Sequence, residues 1–148
     1  MSAMTAAHFE PFELPADAVA WLLDLWECIQ TLDDYADGDP VGRPALDALI
    51  WRTLVGMPSN PWFAAHAGAL TPAVAQMVLK WQASDTVERA GHADARSYVW
   101  RAGYYDVVLM VVLLVHGPEA TMGAARHVMA LYGETFEQYR EEFPCQNL

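Results

Sequence analysis

Apolar residues recur along this chain at the three- and four-residue spacing of amphipathic helices. No stretch alternates apolar and polar residues in the way that a half-buried strand does. Pro and Gly residues stand where such helices begin and end. The spacing and this punctuation together predict helical segments at 16–37, 44–55, 61–69, 72–90, 95–116 and 118–131, with a further turn or two at 135–143.

The segment 95–116 is the most apolar of these and contains "VVLMVVLLV" at 107–115. A helix that is apolar on nearly all sides is surrounded by other helices in a soluble domain. The apolar run is too short to cross a membrane, and Arg101 and Asp106 interrupt its extension. We therefore predict an all-α fold, an irregular bundle of five or six helices around this central helix. It forms a single domain over residues 1–148, with 1–14 and 144–148 peripheral or frayed.

The charge balance narrows the classes of partner. The 148 residues carry 19 acidic and 8 basic side chains, a net charge of -11. Nucleic-acid binding depends on Lys and Arg contacts to phosphates, so a nucleic acid is not expected as a partner. An anionic membrane surface is disfavoured for the same reason. A cation, or a protein partner with a basic surface, suits this charge better.

Cysteine usage and the N-terminus predict a cytoplasmic protein. Cys28 lies in an apolar helical run and Cys145 in the tail, which does not indicate a disulfide framework. The first fifteen residues contain neither the basic nor the apolar region of a signal peptide. Exposed aromatic residues could seal a homodimer, although the sequence does not decide the oligomeric state.

Two aspartates continue the apolar stripe of the first helix. At 100° per residue, Asp33 and Asp37 fall in line with that stripe, where further apolar residues would be expected. Asp34 and Asp39 stand beside them in "TLDDYADGDP", residues 31–40. A helix C-terminus is an unfavourable place for carboxylates. The stripe consists of Val19, Leu22, Leu23, Trp26 and Ile29.

The segment 72–90 repeats this arrangement. Its stripe of Val74, Met77, Val78 and Trp81 is continued by Ser84, Asp85 and Glu88. Asp106 lies within the central helix, where burial of an unpaired carboxylate would cost several kcal/mol. Asp106 therefore needs a cation, a hydrogen-bond network or a proton.

Carboxylates that converge from separate helices are a common way to hold Mg²⁺ or Mn²⁺. We therefore predict a divalent-cation pocket that could serve a hydrolase acting on a phosphoanhydride or a phosphate ester. Arg101 or Lys80 would steady such a substrate. The predicted ligands are Asp33, Asp37, Asp85, Glu88 and Asp106, with Asp34, Asp39 and Arg101 at the rim.

A second interpretation assigns the same carboxylates to structural ion pairs. Arg89, Arg96 and Arg101 are close in sequence and could neutralise Asp85, Glu88 and Asp106; Asp85 and Arg89 have the i, i+4 spacing of a helical pair. The chain would then be a non-catalytic interaction or assembly protein with an acidic surface. The sequence leaves both interpretations open.

Three resemblances accompany these residues. "DDYAD" at 33–37 resembles the DDxxD signature of isoprenoid synthases. In these all-α enzymes, aspartates bind Mg²⁺ ions that hold a diphosphate. Their chains are much longer than this one, and we do not infer their chemistry for this protein. The pairs Asp33/Asp37 and Asp85/Glu88 resemble the acidic pairs of all-α nucleoside-triphosphate pyrophosphatases, whose motif is richer in Glu. "WECIQTLDDYADGDPV", "MPSNPWFAAHA", "RAGYYDVVL" and "YGETFEQY" resemble small uncharacterised proteins of bacteriophages and prophages, which implies a phage association but no particular chemistry.

Overall fold

The computed structural model describes residues 3–144, and within this range it contains helices and no strand. The all-α prediction is confirmed. Eight α-helices occur among the described residues, more than the five or six expected. They are α1 Ala16–Ala36, α2 Arg43–Trp51, α3 Met57–Ser59, α4 Pro61–Arg89, α5 Ala95–Trp100, α6 Tyr104–His116, α7 Pro118–Met129 and α8 Phe136–Glu142. Cys145 and almost all of the tail expected to fray lie outside the described residues.

The chain divides into two compact units, which we call the N-terminal unit (residues 3–67) and the C-terminal unit (residues 68–144). In the N-terminal unit a 3₁₀ helix, Ala6–Phe12, precedes α1. Phe9 and Phe12 of this segment are buried, although the sequence places residues 1–14 at the periphery. Their burial gives the first turn of the chain an apolar anchor, which a polar or frayed terminus would lack.

The buried side of α1 differs from the predicted stripe. The two share Leu22 and Trp26, whereas Val19, Leu23 and Ile29 are only half-buried. Every position from 18 to 29 except Asp24 and Glu27 is apolar, so periodicity cannot choose between neighbouring stripes. The buried residues of α1 are Ala18, Trp21, Leu22, Leu25, Trp26 and Cys28.

The C-terminus of α1 explains part of the stretch "TLDDYADGDP". Gly38 adopts φ +79°, a left-handed conformation that favours glycine. The N–H of Gly38 donates to the carbonyl oxygen of Tyr35 at 3.2 Å, and the N–H of Asp39 donates to that of Asp34 at 2.9 Å. These are the two hydrogen bonds of a Schellman motif, which ends a helix by satisfying its last carbonyls. The stretch is therefore a helix stop as well as a cluster of charge.

Helix α4 replaces the two helices predicted at 61–69 and 72–90. Asn60 caps its start, because the Asn60 Oδ1 accepts from the N–H of Phe63 at 3.0 Å. Pro72 lies inside the helix and does not end it. Leu70 and Met77, seven residues apart on either side of the proline, are both buried. A continuous helix keeps both on one buried side, which offsets the single backbone hydrogen bond that proline removes.

In the C-terminal unit the predicted helix 95–116 is divided into α5 and α6 by a turn at residues 101–103. Gly103 allows this turn to pack closely against α4, since a Cβ added there would lie 3.1 Å from the Cα of Met77. Helix α6 packs against α7 and contributes the centre of this unit's core. Its fully buried residues include Val107, Val108, Val111 and Val112. Within residues 3–144, no helix is both long and apolar enough to cross a membrane.

Candidate functional site

Two of the predicted metal ligands form separate ion pairs in the C-terminal unit. The Asp85 carboxylate lies 2.9 Å from the Arg89 Nε, one turn further along α4. The Asp106 carboxylate lies 2.6 Å from the Lys80 Nζ. The Asp106 side chain is about half exposed, which corrects the expectation that it would be buried. It is exposed because the turn at 101–103 begins a new helix, so the buried positions of α6 are not those of an unbroken 95–116 helix.

Glu88, the third predicted ligand in this unit, belongs to a buried ion-pair network. Its carboxylate lies 3.4 Å from the Arg101 Nη1, and the Glu134 carboxylate lies 3.9 Å from the Arg101 Nε. The guanidinium also lies over the rings of Tyr139 and Phe143, at 5.2 Å from each centroid. Arg101 is thus enclosed by two carboxylates and two aromatic rings. A role in steadying an anionic substrate, as the sequence suggested, would require it to leave these partners.

Hydroxyl groups extend this network towards α5 and α8. The Ser97 Oγ and the Tyr139 Oη are 2.6 Å apart, and both side chains are buried. The Tyr98 Oη donates to the carbonyl oxygen of Glu134 at 2.6 Å. Tyr98 also stacks on Tyr132, with ring centroids 5.1 Å apart. Ser97 and Tyr98 therefore contribute to packing and to internal hydrogen bonds.

The titratable groups of this network have shifted pKa values. Burial raises the pKa of Tyr105 to about 12, and burial likewise raises the pKa of Tyr132 and of Tyr104. The pKa of Asp94 is lowered, first by the hydrogen bond from the Arg96 guanidinium and then by the backbone N–H of Ser97. The tyrosines are held neutral and the aspartate is held charged. None of these groups has a pKa moved towards neutrality, where a general acid or base operates best.

The remaining predicted ligands, Asp33 and Asp37, belong to the N-terminal unit, on the last turn and cap of α1. Asp33 is half-buried, and Asp37 is exposed, as are the rim residues Asp34 and Asp39. Among residues 3–144, no group of three or more His, Cys, Asp or Glu side chains is arranged to hold a metal ion. The divalent-cation pocket stays a prediction.

The N-terminal unit combines this acidic helix end with an apolar surface that the sequence analysis missed. Residues 3–67 contain ten Asp and Glu side chains but only two basic ones, Arg43 and Arg52. Helix α2 and the π-helical turn that follows it, Arg52–Gly56, contain no buried residue. Five large apolar side chains of this segment are exposed, which we call the α2 outer face: Leu46, Ile50, Trp51, Leu54 and Val55.

The α2 outer face was missed because its pattern is that of an ordinary amphipathic helix. Leu46, Ile50 and Leu54 recur at four-residue intervals, which normally marks the side of a helix that faces the core. In the structure the half-buried residues of this segment are Ala48, Leu49, Arg52 and Gly56. Arg52 is an unusual residue among these half-buried positions, because positions that face the protein interior usually hold small or apolar residues. For that reason the sequence did not indicate this orientation of the segment.

Comparisons with known proteins give no relative for this arrangement. No protein-family model, curated protein or solved structure matches the chain. The class that the structure defines is an all-helical protein with an acidic N-terminal unit. The association with bacteriophages stays a prediction.

Proposed function

We propose that this chain is a non-catalytic interaction protein whose N-terminal unit binds a protein partner through a basic surface on that partner. The excess of carboxylates in residues 3–67 carries the proposal. Asp34, Asp37 and Asp39 are exposed at one end of α1. Clustered charge of one sign attracts a partner of the opposite sign and accelerates its association.

The carboxylates of the C-terminal unit support this proposal over a metal-dependent hydrolase. Asp85 lies beside Arg89, Glu88 beside Arg101, and Asp106 beside Lys80. A divalent ion would have to displace these cations from three different places. The ion-pair interpretation of the sequence accounts for this unit, although Asp106 pairs with a lysine of α4 and not with an arginine.

Binding of a synthetic lysine-rich peptide tests the proposal. We expect affinity for the peptide that falls steeply between about 0.05 and 0.3 M salt, because exposed charges are screened over about 10 Å at 0.1 M. The variant Asp34→Asn/Asp37→Asn/Asp39→Asn should bind about tenfold more weakly, since it removes three charges from the proposed surface.

A matched control separates a local surface from overall net charge. Glu119, Glu137 and Glu141 are exposed in the C-terminal unit, and changing all three to Gln removes the same charge. This control should leave the affinity for the peptide within about twofold of the original protein. Equal losses in both triple variants would mean that only net charge matters. That result, or no binding at low salt, would refute the proposal.

A further inference from the structure

The α2 outer face is exposed to an extent that is unusual for side chains of its size. Leu54 is 72% exposed and Trp51 is 64% exposed. Single exposed apolar residues are common on protein surfaces, but a contiguous group on one helix marks an interaction site. Successive members are one, three or four residues apart, so they share one side of a short segment.

The opposite side of this segment is attached to α1. The Arg52 Nε lies 3.4 Å from an Asp24 carboxylate oxygen. Just beyond the π-helical turn, the Cys28 thiol donates to the Met57 Sδ at 3.9 Å. These contacts fix which side of α2 faces α1, so the apolar residues of the outer face cannot turn inward without breaking them. Short π-helical turns such as Arg52–Gly56 are found frequently at functional sites.

Helix α1 has two further exposed apolar side chains near its C-terminal end. Leu32 and Tyr35 are both exposed. Asp24 and Cys28 of α1 both contact the segment 52–57. Leu32 lies eight residues after Asp24, and Tyr35 lies eleven residues after it. Positions with this spacing share one side of a helix. The acidic residues 33–39 lie beside them in the chain, which places apolar and acidic groups together.

Charge decides between the possible occupants of this surface. A second copy would bring another unit with ten carboxylates and two arginines, and the two copies would repel each other. A partner that combines apolar side chains with Lys or Arg complements both features. Helices with an apolar side and a basic side have this chemistry, and they dock onto apolar surfaces through residues at i, i+3, i+4 and i+7.

We propose that the α2 outer face, together with Leu32 and Tyr35, is a docking site for a basic amphipathic helix of a partner protein. This inference rests on the proposed function and specifies its partner. The apolar residues contact the apolar side of the partner helix, and the aspartates at the end of α1 attract its Lys and Arg side chains.

Three peptides of about 18 residues test the proposal. One is a leucine–lysine helix with a single apolar side, the second is its scrambled sequence, and the third has glutamate in place of lysine. The first should bind at least about tenfold more tightly than the second, because scrambling preserves charge but removes the apolar side. The third should not bind measurably.

Paired variants locate the site. Ile50→Ser/Leu54→Ser should reduce the affinity for the leucine–lysine helix to that for its scrambled form. Both positions are exposed, so the fold should persist, which circular dichroism checks. The matched control is Leu79→Ser/Met122→Ser, which changes two exposed apolar residues of the C-terminal unit and should have no effect.

The outcomes distinguish this inference from the proposed function. Equal binding of both lysine peptides, unaffected by Ile50→Ser/Leu54→Ser, would refute the docking site but leave the acidic interaction protein intact. Failure of both lysine peptides to bind would overturn both proposals. Binding of the glutamate helix would show that apolar contacts alone select the partner, whatever its charge. A dimer that Leu54→Ser dissociates would show that a second copy covers the face. Either result would refute the inference.

Discussion

At the scale of single residues, Arg101 is the cation of the buried ion-pair network in the C-terminal unit. Its side chain is 14% exposed, and those of its partners Glu88 and Glu134 are 7% and 13% exposed. Buried ions lose hydration that only their partners restore. Removal of one partner of a buried ion pair therefore lowers the free energy of unfolding by more than the pair itself contributes to it.

We expect Arg101→Leu to lower the free energy of unfolding by about 3–5 kcal/mol, because it leaves two buried carboxylates without their cation. Arg89→Leu is the matched control: the Arg89 side chain is mostly exposed, and its pair with Asp85 should contribute less than about 1 kcal/mol. Urea unfolding of both variants measures the difference. Similar losses in the two would contradict the assignment of Arg101 as a buried structural cation.

The pairs of the C-terminal unit differ in how far the sequence could reveal them. Asp85 and Arg89 are four residues apart on a helix, so their contact was predictable. Glu88 and Arg101 are joined across the turn 90–94, and Glu134 comes from beyond α7, so no local spacing indicates them. Apart from the pair of Asp85 and Arg89, the sequence therefore does not indicate which cation lies beside which carboxylate.

At the scale of secondary-structure elements, Gly103 allows the turn before α6 to approach α4 closely. Gly103 has φ -61° and ψ -18°, which any residue can adopt. Its importance is therefore steric, since a Cβ would meet both the Cα and the Cγ of Met77 at 3.1 Å. A methyl group at this position has to push α4 and the turn before α6 apart.

We expect Gly103→Ala to destabilise the protein by about 1–3 kcal/mol, the usual penalty for overpacking. Gly123→Ala provides the contrast, because Gly123 lies within α7 and an added Cβ meets nothing within 4 Å. Alanine there should stabilise the helix by about 0.5–1 kcal/mol. Thermal unfolding of the two variants should show midpoints shifted in opposite directions. A gain in stability for Gly103→Ala would show that the backbone is not closely packed at this turn.

The helices themselves were largely predictable, and their errors have one cause. Pro15, Gly38, Gly117 and Pro118 mark helix ends correctly because capping is local chemistry. The predictions of a helix start at Pro72 and of an unbroken helix over 95–116 are wrong. In both places the outcome depends on packing with residues distant in sequence, as Gly103 against Met77 illustrates, and local signals do not report that packing.

At the scale of the whole molecule, the excess of negative charge should weaken the fold through self-repulsion. The net charge is -11, and most of the excess lies in residues 3–67. Salt screens such repulsion without binding at any particular site. The response to monovalent salt and the response to a divalent ion therefore separate general repulsion from a specific site.

We expect the thermal midpoint to rise when NaCl is increased from about 0.01 to 0.2 M, because screening relieves repulsion between exposed carboxylates. Millimolar Mg²⁺ or Mn²⁺ at the same ionic strength should raise it no further, relative to EDTA. A specific ion at a hundred times its Kd would add about 2.7 kcal/mol, which is readily visible. A further rise that Asp33→Ala abolishes would instead support the divalent-cation pocket.

The contact between the Cys28 thiol and Met57 allows the local opening of the N-terminal unit to be timed. Burial raises the pKa of this thiol, so little of the reactive thiolate is present in the closed state. An alkylating reagent will modify Cys28 chiefly when the segment 52–59 separates from α1. The rate of modification therefore reports how often that separation occurs. In a variant with Cys145 replaced by Ser, a peptide bound at the α2 outer face should slow the modification of Cys28. The degree of slowing would measure how much the bound peptide stabilises the contact between the segment 52–59 and α1.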